Sequence, residues 1–220
     1  MGRILSFLVL TVCILLTSIA FAKEPDNIAT LRHKVKEYYH SGAYMKDAKS
    51  VVDKARAYIK SQVRRLHNKH QKLAIVLDID ETSLSNYHKL EARNFIGDQE
   101  TVHKEILAGG SPAILSMLSL YQEARQQGIA VFFITGRTQS EKLATINNLK
   151  EAGYQKWTGL YMRPDQYQKH SIIPFKAKAR RQITELGYTI IASIGDQLSD
   201  IKGGYALKGF KMPNPYYYIP

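Results

Sequence analysis

Acidic side chains follow directly on an apolar run in the first half of the chain. The run 73–77 is short, continuous and β-branched in its middle, and Asp78, Asp80 and Thr82 come after it at alternate positions. Two carboxylates one residue apart repel each other and lose hydration, so they need a cation or a proton beside them. The spacing therefore indicates a cation site, with a solvated acidic turn as the alternative.

Two further polar clusters come after apolar runs. Thr135, Gly136 and Arg137 end the run "IAVFFIT", and "TIIASI" leads into a segment that carries Asp196 and Asp200. Because the carboxyl ends of parallel strands meet at one edge of a sheet, we expect the three clusters to share one site. Carboxylates from two strands suit a hard divalent cation, and the threonine hydroxyl and glycine backbone suit an anion.

The segments that must position these side chains alternate between strand and helix patterns. The predicted strands are 73–77, 129–135, 159–162, 189–194 and 210–212, and the predicted helices are about 27–39, 44–67, 111–127, 140–152 and 175–186. Strands separated by helices pair in parallel through right-handed crossovers. We therefore predict an α/β fold of three layers, in which helices cover both faces of a parallel sheet.

The N-terminus has the pattern of a signal peptide. Arg3 precedes a long apolar stretch, and Ala20 and Ala22 form an A-x-A-like cleavage site before Lys23. The alternative is a membrane anchor. Cleavage after residue 22 would remove Cys13, the only cysteine, and would leave a secreted or periplasmic protein without a stable anchor. Such a protein has no disulfide and no thiol nucleophile, which excludes cysteine-dependent phosphatases and proteases.

The basic charge lies mainly in the region 23–72, which we predict to be helical. This region holds 13 Lys and Arg against five Asp and Glu, whereas the predicted core domain, 73–220, holds 17 against 14. The excess is typical of the solvated face of an amphipathic helix, and attraction of anionic substrates or surfaces is the alternative. Aromatic and basic residues do not interleave as in a nucleic-acid module, so we expect no nucleic-acid partner.

Five segments together resemble one enzyme family. "VLDIDETSLSNY", "FFITGRT", "PFKAKAR", "IGDQLSD" and "KMPNPYYYIP" are similar to motifs of the haloacid dehalogenase superfamily of phosphohydrolases. The closest resemblance is to its class B (subfamily IIIB) acid phosphatases, which include bacterial secreted enzymes and plant vegetative storage proteins. The resemblance implies a Rossmann-like haloacid dehalogenase fold with a small cap at about 83–110.

The resemblance also implies a role for each polar cluster. Asp78 would be the nucleophile, and Asp80 would protonate the leaving alcohol and then activate water. Mg²⁺ would be held by Asp78, the backbone carbonyl of Asp80, and Asp196. The phosphate would be held by Thr135, Gly136 and Lys176, and the supporting residues would be Thr82, Arg137 and Asp200.

The choice of Lys176 depends on spacing, because Lys169 and Lys178 lie nearby. The family pattern has an aromatic residue, the lysine, and an arginine four positions later. Phe175, Lys176 and Arg180 reproduce that spacing. We therefore assign the phosphate contact to Lys176.

Arg137, Asp200 and the tyrosines near the C-terminus each have two possible roles. Arg137 is expected either to bind phosphate or to pair with a local carboxylate, and Asp200 either to support the metal site or to cap a helix. The tyrosines at 216–218 are expected to pack the tail against the core or to stack on an aromatic leaving group.

Together with the predicted signal peptide, the resemblance implies a secreted, Mg²⁺-dependent acid phosphatase that hydrolyses small phosphomonoesters through an aspartyl-phosphate. The short cap suggests an open pocket and broad acceptance of substrates. The alternatives are a phosphotransferase that uses the same site and a catalytically weak storage or binding protein of the same fold. A D-x-D manganese glycosyltransferase would not require the T-G-R and G-D-x-x-x-D motifs.

Overall fold

The computed structural model describes residues 24–66 and 71–219. The α-helices are α1 (Ile28–His40), α2 (Ala43–Leu66), α3 (Tyr87–Ala92), α4 (Gln99–Ala108), α5 (Leu115–Gln126), α6 (Lys142–Glu151) and α7 (Ile173–Glu185). The strands are β1 (Lys72–Leu77), β2 (Ala130–Thr138), β3 (Gly159–Arg163), β4 (Tyr188–Gly195) and β5 (Gly209–Lys211). The predicted signal peptide, residues 1–22, lies outside the described residues.

The strands form one parallel sheet in the order β3-β2-β1-β4-β5, with β1 at the centre. Leu77 at the end of β1 pairs with Phe133 of β2 and with Ile194 of β4. The polar residues that follow these positions therefore meet at one edge of the sheet. The predicted α/β architecture with a parallel sheet is confirmed.

Helices cover both faces of this sheet. Ile75 and Leu77 of β1 belong to an apolar core shared with α2 and α5, whereas Ala74 and Val76 belong to a core shared with α7. Successive side chains of a strand point to opposite faces, so a strand buried on both sides must be apolar throughout. This explains the continuous apolar run before the first acidic cluster.

The amphipathic helix predicted in the N-terminal region is α2. Its buried residues recur every three or four positions, at Ala48, Val52, Ala55 and Ile59, and they pack in the same core as the sheet. In the described parts of the chain, no helix combines the length and the apolar composition needed to cross a bilayer.

The helix predicted over 111–127 begins later, at Leu115. The segment before it is extended and bonds to the loop after β1: Ser85 N–H donates to Pro112 O at 2.8 Å, and Ile114 N–H to Ser83 O at 2.9 Å. These long-range bonds replace the first helical turn that the local pattern predicted.

The predicted cap segment contains the two helices α3 and α4. Lys89 on α3 joins them by donating to Glu105 O at 2.9 Å, and Arg93 forms an ion pair with the Glu105 side chain at 3.1 Å. Side chains of the cap therefore tie its two helices together, and the Arg93–Glu105 pair lies on the side of the cap that borders the cavity at the carboxyl edge of the sheet.

Candidate active site

The carboxyl ends of β1, β2 and β4 border a cavity of about 790 Å³. Asp78, Gly136 and Asp196 line it, one from each predicted polar cluster, and Lys176 joins them from α7. Lys178, two residues further along α7, is exposed and does not line the cavity. The structure thus brings the predicted nucleophile, the predicted metal ligand Asp196 and two of the three predicted phosphate-binding residues to one cavity, whereas Thr135 is buried and does not line it.

Lys176 lies at the centre of the cluster and is buried. Its Nζ donates to Asp78 Oδ1 at 2.8 Å and also to Asp200 Oδ1. Burial alone would lower the pKa of Lys176, but the negative charges of Asp200 and Asp78 outweigh it and raise the pKa. The lysine is therefore a permanent cation beside the predicted nucleophile.

Negative charge nevertheless exceeds positive charge around this lysine. Carboxylate oxygens of Asp78, Asp196 and Asp200 lie within 4.8 Å of one another, and all three side chains are buried. Burial, followed by the charge of Asp200, raises the pKa values of Asp78 and Asp196. A hard divalent cation that prefers oxygen ligands would relieve this repulsion, so the donor set fits such an ion.

Polar neighbours fix the orientation of Asp196. Its Oδ2 accepts hydrogen bonds from Gln197 Nε2 and from Asn214 Nδ2, each at 2.6 Å, and its Oδ1 accepts from Thr82 Oγ1 at 3.3 Å. Because the tail residue Asn214 holds one oxygen and the loop residue Thr82 the other, the carboxylate is anchored from two directions. Thr82 thus contacts a predicted metal ligand.

Asp200 also faces the cluster. Its Oδ2 accepts the backbone N–H of Gln197 at 2.8 Å, in a 3₁₀ turn at 198–200, while its Oδ1 bonds Lys176. Asp200 therefore caps the short turn that it ends rather than a following helix, and it belongs to the acidic cluster; its support of a metal stays a prediction. A Cβ on Gly195 would lie 2.1 Å from Asp200 Cγ, so only glycine fits at the end of β4.

Asp80 lines the same cavity but is not one of the three clustered carboxylates, and it pairs with Arg137. The guanidinium binds it with two parallel hydrogen bonds, Nη2 to Oδ1 at 2.7 Å and Nε to Oδ2 at 3.0 Å. Burial raises the pKa of Asp80, but the charge and hydrogen bonds of Arg137 outweigh burial and lower it. Arg137 thus takes the second of its two expected roles, pairing with a local carboxylate.

The predicted phosphate contacts lie beside this pair. Thr135 is buried, and its Oγ1 accepts the backbone N–H of Arg137 at 3.1 Å. A Cβ on Gly136 would lie 3.2 Å from Ile172 Cδ1, so a side chain there would crowd this side of the cavity. The glycine leaves its backbone accessible to an anion.

Sequence reasoning missed several side chains that complete the site. Asn86 Nδ2 donates to Asp80 Oδ1 at 2.8 Å, and the Asn86 backbone N–H donates to Glu81 Oε1 at 2.7 Å. Burial, followed by the charge of Asp80, raises the pKa of Glu81 to about 8. Asn86, Gln197 and Asn214 all lie within the five quoted motifs, so membership of a motif was the available signal.

The tail tyrosines have different roles. Tyr216 is buried and stacks on Phe95 of the cap, with ring centroids 5.9 Å apart, and the Tyr217 hydroxyl donates to Glu81. These two tyrosines pack the tail onto the core. Tyr218 is exposed and lines the cavity, where it remains free to contact a leaving group.

Comparisons with known proteins agree with this geometry. Residues 10–220 match the family described as HAD superfamily, subfamily IIIB (Acid phosphatase). The chain is 34% identical over 190 residues to the stem 28 kDa glycoprotein of Glycine max. It is also 34% identical over 189 residues to acid phosphatase 1 of Solanum lycopersicum. Each alignment covers 84% of this chain and 73% of the relative. The class C acid phosphatase of Bacillus anthracis shares the fold, with a TM-score of 0.71 at 20% identity, over 87% of this chain and 86% of that one.

Proposed function

Because this chain belongs to subfamily IIIB of the haloacid dehalogenase (HAD) superfamily and is an acid phosphatase, we propose that it works through an aspartyl-phosphate on Asp78 with Mg²⁺ as its cofactor. The observation that carries the proposal is the position of Asp78, which lies 2.8 Å from the Lys176 cation within a cluster of three buried carboxylates. The substrates are small phosphomonoesters that enter the cavity at this edge of the sheet.

In the first step, an oxygen of Asp78 forms a bond to phosphorus as the bond from phosphorus to the ester oxygen breaks. Lys176, the Thr135 hydroxyl and the backbone at Gly136 hold the phosphoryl oxygens, whose negative charge increases in the transition state. Asp80 gives its proton to the departing alcohol. In the second step, Asp80 takes a proton from water, which attacks phosphorus and releases phosphate and free Asp78.

Asp78, Asp196 and the backbone carbonyl of Asp80 would hold Mg²⁺, with Asp200 in support. When bound, this ion supplies positive charge that offsets the charge of the transferring phosphoryl group. The chain's own contribution is to keep the ligands together: Thr82, Gln197 and Asn214 orient Asp196, and Lys176 neutralises part of the repulsion.

The pairing of Asp80 with Arg137 favours the ionised carboxylate, which is the form that accepts a proton from water. The first step requires the protonated form, and a lowered pKa makes that form scarce near neutral pH. Lowering the pH towards the pKa of Asp80 increases the protonated fraction. The step in which Asp80 donates its proton is therefore expected to become faster as the pH falls, as long as Asp78 stays ionised.

Exhaustive chelation is expected to abolish turnover of a phosphomonoester, and added Mg²⁺ is expected to restore it. Mg²⁺ should also raise the melting temperature, because an ion at about 100 times its Kd stabilises the native state by about 2.7 kcal/mol. Asp196→Asn should lose most of this thermal shift. Full activity after chelation would contradict the assignment of the cofactor.

Asn214→Ala is expected to weaken Mg²⁺ binding roughly 10- to 100-fold, because it removes a hydrogen bond that orients the ligand Asp196. Calorimetric titration with Mg²⁺ measures this change without turnover. Asn147→Ala, on the exposed side of α6, is the matched control and should bind Mg²⁺ normally. Equal Kd values for the two variants would show that the tail does not orient the metal site.

The proposed place of action is outside the cytoplasm, in the periplasm or the medium. The support is the sequence of residues 1–22, whose charged start, apolar centre and A-x-A-like end are typical of a cleaved signal peptide.

A further inference from the structure

The charged side chains around the active-site cavity are unevenly paired. Four basic side chains there have carboxylate partners, namely Arg93 with Glu105 at 3.1 Å, His103 with Glu141 at 2.8 Å, Arg137 with Asp80 at 2.7 Å and Lys176 with Asp78 at 2.8 Å. Arg163, Lys169 and His170 line the same cavity, and within residues 24–66 and 71–219 none of them forms a salt bridge. One side of the cavity therefore carries positive charge that the described part of the chain does not neutralise by direct contact.

Arg163 is the most constrained of the three. It ends β3, and its Nε is buried without a hydrogen-bond partner among the described residues. The nearby carboxylate of Asp165 accepts the backbone N–H of Ser140 at 2.9 Å and does not pair directly with the guanidinium. Arg163 as a whole is half-buried and lines the cavity, and a guanidinium without a carboxylate partner in the described residues is suited to bind an anion that is not part of the chain.

The register of the sheet places this arginine at a useful distance from the nucleophile. Arg163 pairs with Thr138 at the end of β2, and β2 separates β3 from β1. Asp78 is level with Ile134, which pairs with Tyr161, so Arg163 lies two residues further along the strand direction. Two strand spacings and this offset put its backbone roughly 12 Å from that of Asp78. A substrate whose first phosphate meets Asp78 could thus present a second anion to Arg163 within the same cavity.

We infer that Arg163, together with Lys169 and His170, forms a subsite for a second phosphate, so that the enzyme prefers bisphosphates to monophosphates of the same alcohol. This inference rests on the proposed function, because it assumes that the first phosphate is the one attacked by Asp78. Only that phosphate is hydrolysed in a turnover, and the second serves to position the substrate. A phosphate group suits the subsite because its oxygens match the planar guanidinium donors and its double charge matches two or more cations.

The test uses alkanediol bisphosphates of increasing chain length and the corresponding monophosphates that carry a free hydroxyl at the other end. In the unaltered enzyme, the second phosphate should raise kcat/KM roughly 10- to 100-fold at the best chain length, mainly through a lower KM, as one or two charge-assisted hydrogen bonds would. Arg163→Gln should remove most of this preference. Arg163→Lys should recover part of it, since the charge remains while the paired donors are lost.

Arg181→Gln is the matched control, because Arg181 is half exposed on α7, pairs with Glu185 and does not line the cavity. It should keep the full preference. A preference within twofold in the unaltered enzyme, or an equal loss in the Arg163 and Arg181 variants, would overturn the inference.

Calorimetric binding to the Asp78→Asn variant separates this inference from the proposed function. Tighter binding of the bisphosphate, lost on adding Arg163→Gln, supports the subsite even if the unaltered enzyme hydrolyses neither compound. Equal affinities for the two compounds would overturn the subsite, even if the unaltered enzyme hydrolyses both.

Discussion

Asp78→Asn is expected to lower phosphatase activity by roughly 10⁴-fold or more, because an amide oxygen is a far weaker nucleophile than a carboxylate. The loss should be equally severe for alkyl and aryl phosphates, since neither can form the covalent intermediate without this residue. Steady-state hydrolysis of both classes, with Mg²⁺ present, measures the effect. Residual turnover above one per cent would place the nucleophile elsewhere.

The same variant should be more stable than the unaltered protein when no metal is present. The pKa of Asp78 is raised in the folded state, by burial first and then by Asp200, so its ionisation opposes folding. As the pH rises from the pKa of Asp78 in the unfolded state to its raised value in the folded state, the free energy of unfolding falls. Asparagine does not titrate, so the variant avoids this loss. Lys176 keeps its partner Asp200 in this variant, so no buried cation is left unpaired.

In chelator, we expect Asp78→Asn to melt at a higher temperature than the unaltered protein, by roughly 2–4 °C for each kcal/mol added to the free energy of unfolding. This difference in melting temperature should increase as the pH is raised above about 4. Asp53→Asn, which alters the pairs of Asp53 with Lys49 and Arg56 on α2, away from the carboxylate cluster, is the matched control and should show no such gain. A lower melting temperature for Asp78→Asn would mean that its bond to Lys176 outweighs the repulsion among the carboxylates.

Asp80→Asn is expected to slow turnover by roughly a hundred- to ten-thousand-fold, and the slowing should depend on the leaving group. The variant keeps the nucleophile Asp78 but lacks the proton that Asp80 gives to the leaving group. Hydrolysis of an alkyl phosphate, whose alkoxide is a poor leaving group, should therefore be slowed most. An activated aryl phosphate should still phosphorylate Asp78 and then stall, because the attacking water has no base. Rapid quench should show a burst near one equivalent of aryl alcohol per site.

The pH dependence provides an independent measurement on the same residue. Because Arg137 lowers the pKa of Asp80, more of this acid is protonated as the pH falls. With saturating Mg²⁺, whose charge favours the ionised form of Asp78, the alkyl phosphate should therefore react faster at lower pH. Asp80→Asn should flatten this acidic rise. Equal slowing of both substrate classes, with no burst, would make Asp80 a structural or metal-site residue.

The sequence by itself determined the architecture and which segments meet at the site. Runs such as 73–77 and 129–134 are apolar throughout because helices cover both faces of a parallel sheet, and this pattern is visible in the residues alone. Once the strands are parallel, their carboxyl ends must share an edge, so Asp78, Thr135 and Asp196 could be placed together without coordinates. The family motifs, spread over the whole predicted core, pointed to the same site.

Element boundaries and the extended segment before α5 depended on tertiary structure. The local pattern continues a helix back to Ser111, but bonds from Ser85 and Ile114 to distant backbone groups favour an extended path. Helix propensity is a weak preference of a few tenths of a kcal/mol per residue, and long-range hydrogen bonds override it.

Only the tertiary structure decided which side chains pair within the site. The sequence left two partners open for Arg137, and the fold brings it to Asp80, which lies 57 positions earlier. Likewise, Asn214 reaches Asp196, Tyr217 reaches Glu81 across 136 positions, and Arg163 ends a strand without a carboxylate partner in the described part of the chain. The physical reason is that periodicity reports only whether a side chain faces the core or the solvent, whereas hydrogen bonds and ion pairs require distances of about 3 Å that depend on how separate elements pack.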